Sequence, residues 1–467
     1  MTAALTMPFK GVHGMAEDMT RGNTTKQLIQ FSLPLILSSF LQQLYNVINS
    51  IIVGRVIGKS ALAAVGIADP IISTVTFFIM GICLGAMVLM AQFFGSRDYG
   101  KLKQEISTAL ITGTGFTLLV ATGGILASKT FLQLIHTPAE VLPMAAAYLN
   151  TIFLGLVFSF LYNFFANALI ATGESKMPLR FLALSVGLNI LLTLLFVKQW
   201  GWGIQGSAAA TVISQGICAL TCILYVYWQA PLIRVMPQEW TIDKALLKTT
   251  VRYSWASAIQ QSCVHLGKLL TQGIVNPLGT DIIAAFNGAS RLETFVLMPG
   301  DSIGNGITTF IAQNNGAGKP QRIMEGYSKG NRIVAYYYII ISALLLWQAP
   351  RLMGLFVSQG ESQVIAIGTG YLRAVAVFYI VSGFCTVFQG FFRGLGMMDI
   401  TMIGTVLKMA ARVLLAWAFV PRYGLTSLAY CVAAGWFAMV IYQGFEFRRY
   451  LKKNQETIQS AGGWHLF

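Results

Sequence analysis

The chain has 467 residues, 55% of them hydrophobic and 10% charged, and a mean hydropathy of +0.65. A soluble globular chain carries about 25% charged residues, so the composition indicates an integral membrane protein and excludes a water-soluble fold. The formal net charge of +15 calls for no nucleic-acid partner, because membrane topology and contact with anionic inner-leaflet lipids account for it.

Residues 1–26 are polar and lack an apolar core followed by a small-residue cleavage site, so they read as a cytoplasmic tail and not as a signal peptide. Twelve windows of about 20 mostly apolar residues follow: 27–53, 64–93, 106–127, 143–168, 179–199, 206–228, 253–275, 282–312, 333–349, 364–390, 400–420 and 425–446. Alternating ten-residue segments, the mark of a closed β-barrel, are not visible. The expected fold is therefore an all-α membrane protein of twelve transmembrane helices. The polar segment 229–250 separates a first six-helix bundle (27–228) from a second (251–446), and 447–467 forms a basic tail. The N-terminal tail, the even-numbered loops and the C-terminal tail hold about 21 Lys and Arg, Arg393 among them, against about 6 in the opposite loops. That bias puts both termini in the cytoplasm of a multi-pass cell-membrane protein.

The halves resemble each other at a shift of about 221 residues. "GKSALAAVGIADPI" (58–71) lies over "GTDIIAAFNGASRL" (279–292), "LGAMVLMAQFFGSRDYGK" (84–101) over "NGITTFIAQNNGAGKPQR" (305–322), and "GIQGSAAATVISQ" (203–215) over "GLTSLAYCVAAGW" (424–436). Six helices per unit is an even number, so both units share one topology: a parallel repeat about an axis along the membrane normal, with a cavity between the halves.

Catalytic signatures are missing. "GRVIGKS" (54–60) is one residue short of a phosphate-binding loop, only four His exist, and neither HExxH nor G-x-S-x-G occurs. No enzymatic activity and no cofactor or metal is expected. The six Cys lie within apolar windows and read as small packing residues.

Polar stripes carry the functional signal. Ser38, Gln42, Tyr45, Asn46 and Asn49 lie within about 60° of a common line on the first helix, and Ser257, Gln261, His265, Lys268 and Gln272 line up to within about 40° of one on the seventh. Such amides also glue helices together, at about 0.6 kcal/mol each, but matching stripes on repeat-related helices favour a shared aqueous cavity. Ionisable groups inside a membrane mark pathways; here they are Asp69, His265, Lys268, Arg291, Glu293, Asp301, Arg373, Lys408 and Arg412. Asp69, Arg291 and Glu293 read as helix-end groups. Asp301 stands mid-helix in "LMPGDSIGNG", with Asn305 one turn on.

The segment "FSLPLILSSFLQQLYNVINSIIVGRVIGKSALAAVG", the A-Q-x-x-G closing the second and eighth helices, "ATGESKMP", "GWGIQGSAAAT" and "QGFFRGLG" resemble the multidrug and toxic compound extrusion (MATE) family, a bacterial branch of it, from about residue 21 to 446. The resemblance implies two six-helix bundles around a V-shaped cavity, and export of small organic compounds in exchange for protons or sodium ions. A lipid or lipid-linked glycan flippase, or an uncoupled facilitator, of the same fold is the alternative. The expected partners are the organic substrate, the coupling H+ or Na+ and membrane lipids, with the chain acting as a monomer.

Departures from the family pattern matter. Asn49 stands where an Asp is typical; Asn189 is kept but Thr193 takes a second Asp position, and Thr211 is kept. In the second half Gln260 or Gln261, and approximately Ser382, replace a Glu and an Asp. An amide cannot release a proton as a desolvated carboxylate can, so the usual first-half coupling site is expected to be inert. Coupling should then rest on Asp301 first and His265 second. Cavity residues are expected to be Gln42, Tyr45, Asn46, Asn49, Asn189, Thr193, Thr211, Gln261, His265, Lys268, Gln272 and Asn305. Lys268 disfavours a permanent cation, so the cargo is expected to be neutral, zwitterionic or anionic.

Overall fold

The second helix of each half starts on a glycine, Gly58 with φ 108° and Gly279 with φ 105°, in a backbone region that side-chain-bearing residues hardly enter. A computed structural model describes residues 18–356 and 361–454. Lys10, His13 and His465, with most of the N-terminal tail and the end of the basic C-terminal tail, lie outside the described residues.

In the first half α1 (Thr24–Ile52), α2 (Lys59–Gly95), α3 (Tyr99–Leu134), α4 (Leu142–Leu154), α5 (Leu156–Ala171), α6 (Lys176–Leu194) and α7 (Gly203–Gln229) follow one another. The second half consists of α8 (Lys244–Val275), α9 (Thr280–Gly316), α10 (Pro320–Met353), α11 (Ser362–Ala376), α12 (Tyr379–Gly394), α13 (Met398–Tyr423) and α14 (Leu425–Lys453). The repeat holds to the residue in places: α2 and α9 each have 37 residues, Lys59 corresponding to Thr280 and Gly95 to Gly316. At 1.5 Å per residue each is about 55 Å long, well over a hydrocarbon core of about 30 Å, so both project beyond it.

Two of the twelve windows are not single helices. The window 143–168 is broken between α4 and α5 with a bend of 42°, and 364–390 between α11 and α12 with a bend of 53°. Both are the fourth span of their half. At the first break Gly155 leaves room for Val212 of α7 where a Cβ would stand. At the second the Ser342 hydroxyl of α10 donates to the Ala376 carbonyl at 2.7 Å, supplying a partner for a backbone group at the kink. With each bent pair as one span, ten spans among the described residues are long and apolar enough to cross a membrane. The remaining two long helices, α8 and α9, are more polar, and they carry His265, Lys268, Arg291, Glu293 and Asp301.

Each half has its own apolar core, yet the first helix of each half starts in the other. Met19, Leu28 and Phe31, before and early in α1, belong to the second-half core, and Ala256 of α8 belongs to the first-half core. Close approach across the pseudo-two-fold axis is permitted by missing side chains. A Cβ on Gly95 would run into the Gln313 backbone, one on Gly316 into that of Gln92, and one on Gly85 or Gly81 into α8 at Ser254 or Ala258. All of this lies toward the end rich in Lys and Arg, called the basic end below.

Candidate functional site

Contacts between the halves run from the basic end to mid-membrane. Beyond the glycine contacts come the Ser39–Ser302 hydroxyl pair at 3.2 Å and a stack of Phe77 on His265 with ring centroids 3.7 Å apart. Farther along, the described hydrogen bonds of α1 turn to its own half. This is the contact pattern of two bundles that meet at one end and part toward the other.

The first-half site is a connected network. Tyr45 and Asn189 both bond the Thr211 hydroxyl oxygen at 3.2 Å, and that hydroxyl donates to the Ser207 carbonyl at 3.1 Å. Thr211 therefore uses its one proton and both lone pairs. Thr193 donates to Asn189 Oδ1 at 3.3 Å, and Ser207 Oγ to Asn49 Oδ1 at 3.4 Å. Tyr45, Asn49, Asn189, Thr193 and Thr211 thus come together. Ser207, adjacent to Gly206 in "GWGIQGSAAAT", was missed. Every member is uncharged. Gln42 and Asn46 are exposed on the same side of α1.

The second-half stripe divides by depth. Ser257 is buried where α2 packs, His265 is held by Phe77 at the interface of the halves, Lys268 is exposed, and Gln272 donates to Asn276 at 2.9 Å near the end of α8. Gln261 is partly exposed, whereas Gln260 turns inward. The Gln260 amide bonds Gln389 and, at 3.1 Å, Thr405; Gln389 bonds the same hydroxyl at 2.9 Å. The family pattern had pointed to Gln260 or Gln261 at this position; Gln389 and Thr405 were missed.

Three sequence readings of charged residues need correction. Arg393 is not a loop residue: it lies in the last turn of α12 and donates to Asn305 Oδ1 at 3.4 Å. Glu293 is not at a helix end: it is 7% exposed inside α9 and accepts from Tyr371 at 3.1 Å. Asp69 lies well inside α2. One acid escaped notice altogether: Glu105 of α3, fully buried, accepts from Thr250 of α8 at 2.8 Å.

Asp301 and Asn305 fall on one face of α9. Asp301 is exposed, and it stands in the electrostatic field of Lys408, Lys268 and Arg393. Among the described residues it has no ion pair within 4.0 Å; the pairs that do form, such as Lys103–Glu239 and Arg252–Asp399, engage residues at or near helix ends. An apolar cleft of about 500 Å3, lined by Ile36, Phe40, Phe295, Pro299 and Ile303 among others, lies on the opposite side of α9 and offers no charge to a ligand. No group of three His, Cys, Asp or Glu suited to a metal ion occurs among the described residues.

The sequence profile of the MatE family matches residues 34–195 and again 256–418, once in each half. The chain belongs to the MATE family. It is 31% identical over 385 residues to YpnP, a probable multidrug resistance protein of Bacillus subtilis (strain 168), covering 82% of this chain and 85% of that one. Among solved structures, a crystal structure of MATE in complex with MaL6 superposes with a TM-score of 0.89 at 20% identity, covering 96% of this chain and 100% of the other. An outward-facing multidrug resistance MATE family transporter of the MOP superfamily gives 0.88 at 20% identity, over 96% and 99%. The fold is that of MATE transporters, twelve transmembrane positions in two bundles, and the chain is a multi-pass membrane transporter of this family. The resemblance read from the motifs is correct.

Proposed function

We propose that this chain is a secondary active exporter that moves small organic compounds out of the cell by alternating access, exchanging them for protons or sodium ions. The observation that carries the reading is the arrangement of the two halves: tightly apposed at the basic end through Gly95, Gly316 and their partner backbones, with polar side chains of both halves beyond. By the bias of Lys and Arg the basic end is cytoplasmic, so the conformation faces outward and both termini lie inside the cell. The relatives' names as multidrug resistance proteins support export. The reading includes no enzymatic step, no cofactor and a monomeric transporter in its lipid bilayer.

The cavity residues are assigned as Gln42, Tyr45, Asn46, Asn49, Asn189, Thr193 and Thr211 in the first half and Gln261, Lys268, Gln272 and Asn305 in the second. Coupling is assigned to Asp301, a carboxylate inside the membrane region without an ion-pair partner among the described residues; the first-half network has no group that exchanges a proton. His265, stacked between the halves, is better suited to register their contact than to carry an ion.

Counterflow in proteoliposomes tests this. Ethidium and carboxyfluorescein uptake is measured under an imposed proton gradient, a sodium gradient and neither, in wild type and in Asp301→Asn. The reading expects one gradient to drive accumulation and Asp301→Asn to abolish it. Flux that ignores both gradients would replace the exporter with a facilitator, a reading that the neutral first-half network specifically favours.

A further inference from the structure

Three helix crossings gather charge in one place. α8 meets α13 where a Cβ on Gly267 would reach the Met409 sulfur at 2.6 Å, which sets the adjacent residues Lys268 and Lys408 beside the crossing. α9 meets α12 where one on Gly390 would stand 2.8 Å from the Gly304 carbonyl oxygen; Asp301 and Asn305 flank that point on α9 and Arg393 on α12. α12 is tied to α13 by the Gln389–Thr405 bond at 2.9 Å, one turn before Lys408. Lys268, Asp301 and Arg412 all stand in the field of Lys408.

The balance in this space is positive. Lys268, Arg393, Lys408 and Arg412 face two acids, Asp301 and Glu293, and Glu293 is taken up by Tyr371. None of the four cations forms an ion pair within 4.0 Å among the described residues. The Nε–H groups of Arg393 and Arg412 are buried without a hydrogen-bond partner among the described residues. Unpaired cations and buried guanidinium donors are costly at membrane depth, and the ligand that relieves both is an oxyanion, which suits guanidinium and ammonium donors. Asn305, already bonded to Arg393, adds an amide that faces the same space.

We propose that this second-half cluster is the binding site for the anionic group of the cargo, a carboxylate, sulfonate or phosphate on an organic body, with Lys268 and Lys408 as its principal partners and Asp301 as the resident charge that opposes it. The proposal rests on the exporter reading for the word cargo. A free organic anion and an anionic lipid headgroup share this chemistry.

The test is equilibrium binding to the full-length protein in neutral detergent, so no transport is required. Probes are carboxyfluorescein, naphthalene sulfonate and naphthyl phosphate, with ethidium as the cation. Wild type is expected to bind at least one anion and to prefer it to ethidium. Lys268→Gln with Lys408→Gln should weaken that anion by about tenfold or more, Lys268→Arg with Lys408→Arg should retain it, and Asp301→Asn should tighten it several-fold. A structural role for Asp301 would not produce a gain. Competition with dihexanoyl-phosphatidylglycerol against benzoate identifies the source: stronger displacement by the lipid assigns a headgroup, by benzoate a soluble anion, and both support an anion site. Preference for ethidium, binding of none of the three anions, or anion binding indifferent to all of these substitutions would overturn it. Charge-dependent anion binding without gradient-driven flux in proteoliposomes would leave the site standing and remove the exporter.

Discussion

Thr211 has one hydroxyl and three bonds, and that saturation makes it the hub of the first-half network. Thr211→Val keeps the shape but leaves Tyr45 and the Asn189 amide without their shared acceptor. Polar pairs in membranes average about 0.6 kcal/mol, and an orphaned buried donor costs about 1–3 kcal/mol. We expect a loss of about 1–2 kcal/mol, read as a lower thermal midpoint in detergent, with Thr211→Ser recovering most of it; an unchanged midpoint would mean that water replaces the hydroxyl. Apart from Ser207, the residues of this network were legible because Asn, Thr and Tyr recur at helical spacing inside apolar windows, and because motif resemblance pointed to Asn189, Thr193 and Thr211. The partners of Gln260, and the places of Glu105 and Arg393, were not, since spacing within a helix does not tell which neighbouring helix a side chain meets.

At the scale of elements, the paired glycines at the ends of α2 and α9 make a symmetric prediction. Gly95→Ala and Gly316→Ala each place a methyl against the other half's backbone, and overpacking of this kind costs about 1–3 kcal/mol. That cost falls only on the state in which the basic end is closed. Both variants should therefore widen spin-label distances across the basic end and slow transport, to similar extents. Equal distances in variant and wild type would refute the closed-state assignment. The segment before α8 behaves as a strap: Thr241 and the Asp243 amide bond Ser107 and Thr108 of α3 at 2.8 to 3.1 Å. Lys103 holds the Glu239 carboxyl below the usual carboxylate range, helped by the Met236 amide. A lowered folded-state value means that this docking is fully present above the ordinary carboxylate range and is lost as pH falls through the depressed value. Amide protection over 236–243, corrected for the intrinsic pH dependence of exchange, should stay high near neutrality and fall only in acid below that range, and Lys103→Ala should move the loss of protection to higher pH.

For the molecule as a whole, a second strap mirrors the first. Residues 18–22, ahead of α1, cross to the second half: the Met19 amide donates to Gln313 at 3.1 Å, Lys319 to the Thr20 carbonyl at 2.7 Å, and Arg322 to the Gly22 and Met19 carbonyls at 2.9 and 3.0 Å. Opening the basic end must carry or break these bonds. Arg322→Ala combined with Met19→Asp is expected to raise maleimide labelling of Ser32→Cys, buried against Gly306 of α9, several-fold in a cysteine-free background; unchanged labelling would show that the strap moves with one half and bars nothing. The sequence by itself determined the class, the number of spans and the twofold repeat, because hydrocarbon imposes a length and an apolarity on every span and the repeat preserved its spacing. The tertiary structure alone decided the two mid-span bends, the crossing of each half's first helix into the other core, and the union of Lys268, Arg393, Lys408 and Asp301 from four helices. Those depend on which faces of different helices pack together, and contacts between helices, whether 34 or more than a hundred positions apart, leave no periodicity to read.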